Sequence, residues 1–211
     1  TIEDRVNAAL DLDTGHLFIP EVTNFLATNS DRTSDLLTMD YELVLWWTWL
    51  FDQYRQGAGT DPPVTAANDL GWGAIRDFYI ELETQPGDEL GAVTDFIAGQ
   101  GSNFRDDFID YTLALYAYPY NPTDSRLGFV DDEINDTNGI SNHNTHNTGP
   151  AFATDSPNVN PRSSQYWEFN PASQCDYTAF SFDGNGSDYG FSVMTVDGGN
   201  LEDRWTSYSD A

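Results

Sequence analysis

Hydrophobic and polar positions change their rhythm along this chain. Up to about residue 120 the apolar side chains recur every three to four positions, which is the period of an amphipathic helix. Thr1 to Leu10 opens with Thr and carries Asp4 three residues on, resembling a capping box, with Ile2, Val6, Ala9 and Leu10 on one face. Pro20 at a helix start, followed by Val22, Phe25 and Leu26, predicts a second short helix. From about Met39 to Tyr54 the run MDYELVLWWTWLFDQY is apolar nearly all round, so this helix must be buried on most sides. Glu42, Thr48 and Asp52 interrupt it short of the roughly 20 apolar residues a membrane span requires. Leu70 to Leu82 predicts a further helix with Trp72, Ile75, Phe78, Tyr79 and Leu82 inward, stopped by Pro86-Gly87. Asp88 to Ala98 predicts a shorter one, and Ser102 is expected to cap the last, Asn103 to Tyr116, which buries Phe104, Phe108, Tyr111 and Leu115.

Beyond residue 160 the period falls to two. Gln165–Phe169, Asp176–Phe182, Tyr189–Val196 and Arg204–Ser207 read as strands separated by Asn170-Pro171, Asp183-Gly-Asn-Gly186 and Asp197-Gly-Gly-Asn200. The expected fold class is α+β: an N-terminal helical domain of five to six helices over 1–120, a polar linker or long loop over 121–160, and an antiparallel β-sandwich or meander over 161–211. Four strands make a small sandwich, so either the linker supplies more or an edge is left for another chain to pair with. That edge, and with it self-assembly, is one expected partner mode.

Composition sets the solvent. All 8 basic side chains are arginines, 35 are acidic, and the formal net charge is −27. Unbalanced charge of this size repels itself and destabilises a compact state. In about 1 M salt the Debye length is roughly 3 Å, and separated carboxylates scarcely feel one another. The composition therefore predicts a protein of a salt-saturated, haloarchaeal type of habitat. The acids are spread from Glu3 to Asp210, which rules against an acidic tail, and 39% hydrophobic residues with 14% aromatic rule against a disordered solvating chain. Nucleic acid is excluded as a partner by the scarcity of cations.

The order DYELVLWWTWLFDQY, a Gly/Pro-rich break, GWGAIRDFYIELE, a short helix ending in GQG, and SNFRDDFIDYTLALYAYP resembles the C-terminal helical part of large secreted zinc-metallopeptidase-like proteins. Such proteins often carry a β-sandwich next, whose first strand a segment like SSQYWEFNP opens. The resemblance covers about 170 residues. It implies an extracellular or cell-surface location and association with an upstream peptidase part. In that family an HExxH helix supplies two zinc-binding His and the Glu that activates water. This chain has no HExxH, and the expected third ligand, a Glu before a segment like IEDRVNAAL, would precede Thr1. No family catalytic residue maps onto it, zinc is expected only with an upstream HExxH segment, and 1–211 is expected to be a fragment or processed part, non-catalytic on its own. The alternatives are a structural or assembly subunit of a halophile cell surface, filament or virion, and a calcium- or carbohydrate-binding accessory module.

Few residues carry site chemistry of their own. Asp183, Asn185 and Asp188 place oxygen ligands within six residues, a calcium candidate without the distal bidentate Glu of an EF-hand; a plain hairpin turn explains them as well. His143 and His146 stand three residues apart in a segment that reads as polar loop, a metal candidate with no Cys beside it. Cys175, alone in the chain, excludes an internal disulfide and reads as a packed side chain rather than a nucleophile. Asn135-Asp-Thr137 and Asn185-Gly-Ser187 are glycosylation sequons in expected loops.

Overall fold

The computed structural model describes residue 36 and residues 44–54, 72–117, 120, 124–129, 144–148, 162–171, 189–197 and 200–209. Within them four helices form: α1 Val44–Gln53, α2 Trp72–Thr84, α3 Glu89–Gly99 and α4 Phe104–Ala117. The helices expected over Thr1–Leu10 and after Pro20 lie outside the described residues.

α1 is the hub, as a helix apolar on every side has to be. Leu45, Trp46, Trp47, Trp49, Leu50 and Phe51 are each at most 2% exposed. Its aromatic rings reach all three neighbours. Trp47 lies 4.9 Å from Phe78 of α2, Phe51 6.4 Å from Phe96 of α3, and Trp46 5.2 Å from Tyr111 of α4. The tryptophan stripe is core packing, and edge-on and offset ring pairs of this kind add about 1 kcal/mol each beyond their buried area. Ile75 and Phe78 are buried with Tyr79 and Leu82 packed at the margin, and Tyr111 and Leu115 are buried with Phe104 and Phe108 beside them. Those are the inward faces that the periodicity predicts for α2 and α4, apart from Trp72, whose side chain lies outside those described.

Local chemistry ends the helices where the sequence punctuates them. Gly87, at φ 86°, turns α2 into α3, and Asp88 caps α3 by accepting a 2.9 Å hydrogen bond from the Gly91 amide. α3 closes in a Schellman motif: Ser102 N–H bonds Ile97 O at 3.2 Å and Gly101 N–H bonds Ala98 O at 3.0 Å. Gly101 sits at φ 87°, a conformation that favours glycine. Ser102 is not the cap of α4. Asn103 takes that role, its Oδ1 accepting from Asp106 N at 3.0 Å, because the Ser102 hydroxyl is drawn to a buried carboxylate instead.

The strands form two separate two-stranded ladders among the described residues. β1, Asn144–Thr148, pairs in parallel with β2, Trp167–Pro171, placing His146 opposite Phe169. β3, Tyr189–Asp197, pairs antiparallel with β4, Asn200–Ser209. Two expectations are corrected here. The segment 121–160 is not wholly linker or loop, since it holds β1 and a 3₁₀ turn at Ser125–Leu127. The strands are not uniformly antiparallel, since residues 149–166 are long enough to carry the chain back for a parallel pairing, which takes a crossover of about a dozen residues. No sandwich is formed by the described strands, and the strand expected over Asp176–Phe182 lies outside them. In the hairpin, Asp197 faces Asn200 across Gly198-Gly199. Thr195 faces Asp203 while Val196 faces Leu201, so Glu202 is an extra residue that bulges β4. The observed class is an α+β mixture. No described helix is long and apolar enough to cross a membrane.

Candidate functional site

Asp183, Asn185, Asp188, His143 and Cys175 lie outside the described residues. His146 lies in β1, a strand rather than the polar loop its neighbours suggest. Asn-Thr-His-Asn-Thr has no apolar alternation to announce a strand; its pairing with β2 specifies it. Among the described residues no three His, Cys, Asp or Glu side chains come together as a metal site.

What the fold does assemble is a buried ionic cluster around Asp107. This carboxylate is 0% exposed, the one charged side chain among the described residues that is fully buried. Such a group persists only when it is paired and hydrogen-bonded. Three elements converge on it. Ser102, in the turn before α4, donates to Oδ1 at 2.6 Å, and Tyr54, at the end of α1, donates to Oδ2. Arg126, in the Ser125–Leu127 turn, gives Nη2 to Asp107 Oδ1 at 2.7 Å and Nε to Asp110 Oδ2 at 2.9 Å. Asp107 and Asp110 are three residues apart and so share a face of α4, a spacing that one planar guanidinium fork can span.

Aromatic faces complete the cation's surroundings. The Arg126 guanidinium carbon stands 5.0 Å from the Trp49 ring centroid and 5.9 Å from that of Tyr54. Trp49 Nε1 donates to the Arg126 carbonyl at 3.1 Å, so backbone and side chain of this residue are held together. Burial opposes the charge on Arg126, but the hydrogen bonds to Asp107 and Asp110 outweigh it and hold its pKa above the usual arginine value. Burial, reinforced by the hydrogen bond to Asp107, pushes the Tyr54 phenol up to about 12.

A second polar contact docks the segment before β2. Tyr166 donates to the Thr112 carbonyl at 2.8 Å, accepts from the Ser164 hydroxyl at 3.1 Å, and stacks on Tyr116 at 5.9 Å. Burial raises the Tyr166 phenol well above its usual value and takes Tyr116 up to about 12.

The chemistry open to the Asp107 cluster is that of a fixed joint. Both carboxylate oxygens are occupied by donors, and the cation that balances them also binds a second carboxylate. The residues carry no signature motif, yet one signal was present. On α4 an aspartate occupies a position three residues from Phe104 and four from Tyr111, on the face the aromatics bury, and an acid there demands a cation. The arginine that meets it is the one arginine of the segment 121–160. No known protein family, curated protein or solved structure matches the chain.

Proposed function

We propose that this chain is a salt-adapted extracellular protein, the non-catalytic C-terminal helical support and accessory β-region of a metallopeptidase-like protein. The observation that carries the salt adaptation is the net charge of −27 with arginine as the sole cation type. Charge of this size keeps a protein soluble but destabilises its compact state by self-repulsion, and molar salt removes that cost by screening. Support for the backing role comes from the order of helical segments, and from a buried cluster whose polar groups bind one another and hold α1, α4 and the 3₁₀ turn together. The catalytic zinc and its HExxH helix belong, in this reading, to a segment upstream of Thr1.

The test compares two products purified in molar salt: residues 1–211, and a longer product that includes whatever precedes them in the gene. The proposal expects no peptide hydrolysis from the first, and stoichiometric zinc with hydrolysis from the second. Hydrolysis by residues 1–211 alone, or a longer gene product without HExxH and without zinc, contradicts it.

A further inference from the structure

The Ser125–Leu127 turn faces two ways. Arg126 turns inward, gripping Asp107 and Asp110 of α4 and lying against Trp49 of α1. Its neighbour Leu127 is 1% exposed and forms, with Leu113 and Ala117 of α4, a second apolar cluster. The hairpin meets the bundle at this cluster: Met194 of β3 and Leu201 of β4 pack against it. Leu201 sits beside the β4 bulge, where the added twist turns the strand locally. Leu127 follows Arg126 directly in a three-residue turn, so the side chain that grips α4 and the one that seats the hairpin are neighbours on one short segment.

We infer that this turn is a strap that couples the β3–β4 hairpin to the helical bundle, with Arg126 as its fastening and Leu127 as its seat. Loosening the fastening releases the hairpin as a unit while the aromatic core stays closed. The arrangement makes hairpin docking a separate conformational step, with its own opening equilibrium below that of global unfolding.

Hydrogen exchange on the full chain in molar salt tests this. The variant R126K keeps the charge but loses the planar fork that reaches two carboxylates at once. The strap predicts that amides of Tyr189–Asp197 and Asn200–Ser209 exchange about tenfold faster in R126K through local opening, a larger factor than the amides of α1 and α3 show. F78L, which damages the core at rings of α1, α2 and α3 and touches neither side chain of the strap, serves as the comparison and should accelerate the helices. R126K giving the same pattern as F78L, or leaving the hairpin unchanged, overturns the inference. L127A leaves the ionic cluster whole and trims only the seat; it takes the same test if R126K does not fold. It must loosen the hairpin selectively, and an unchanged hairpin there overturns the inference as well.

Discussion

Replacing Asp107 with alanine removes the acceptor of three donors at once. Tyr54 and Ser102 lose their partner, and Arg126 keeps only Asp110 at 2.9 Å. Breaking a buried ion pair costs about 3–5 kcal/mol because a charge is left behind without compensation. Arg126 is 28% exposed and retains one carboxylate, which places Asp107→Ala at about 3 kcal/mol, the lower end of that range. Arg126→Met is the harsher change. It strands a carboxylate that has no access to water, with only two hydroxyl donors left, and should cost about 4 kcal/mol. Asp107→Asn keeps the shape and one acceptor and should cost about 1–2 kcal/mol. Combining Asp107→Asn with Arg126→Met removes both charges, so the double variant should be more stable than the sum of the singles by at least about 1 kcal/mol. Urea unfolding at constant molar salt reads all four values, since guanidinium would itself alter the screening. An Asp107→Ala cost under about 1 kcal/mol, or additivity within about 0.5 kcal/mol, would refute the view of this cluster as a desolvated joint.

The aromatic hub gives a second expectation: Trp46→Ala, at 1% exposure and ringed by Trp47, Trp49, Phe104 and Tyr111, should cost about 3–5 kcal/mol in the same assay. Tyr111 tests the opposite case. Its hydroxyl is buried with no hydrogen-bond partner among the described residues, so Tyr111→Phe should be neutral or stabilise by up to about 1 kcal/mol, and a large loss would reveal a partner. Alkaline pH should weaken the fold. Tyr54 and Tyr116 hold their protons up to about 12 when folded and release them near the ordinary tyrosine value of 10.0 when unfolded. Their contribution is therefore whole below that value and is lost as pH rises through the folded pKa. Phenolate absorbance against pH should show at least four tyrosines titrating late in the folded protein, Tyr54, Tyr111, Tyr116 and Tyr166, and Tyr54→Phe should remove one of them.

The helical part was legible because one period governs it. Trp47, Phe51, Phe78 and Tyr111 fall where a 3.6-residue repeat puts them, and Pro86-Gly87 and Gly101 mark the breaks by their own backbone preferences. The β3–β4 hairpin was legible for a similar reason, since Asp197-Gly-Gly-Asn200 supplies the turn and the flanks alternate. β1 was not, because a strand of Asn, Thr and His owes its state to the partner it meets, not to a pattern of its own. The capping of α4 was misjudged by one residue for an energetic reason: Ser102 gains more from a buried carboxylate than from a helix end that Asn103 can serve. The Asp107 cluster joins residues 54, 102, 107, 110 and 126, and only the acid on an apolar face hinted at it. Calcium at Asp183, Asn185 and Asp188 remains a proposal with its own readout, a calcium-dependent rise in melting temperature by mass action.

Salt dilution tests the account most directly. From about 1 M to about 0.1 M salt the Debye length grows from roughly 3 to 10 Å, and the repulsion among 35 acids facing 8 arginines is unmasked. The urea midpoint should fall steadily over that range, while the destabilisation by Asp107→Asn stays constant, because a buried pair is barely screened. A midpoint that holds or rises on dilution contradicts the salt-adapted reading.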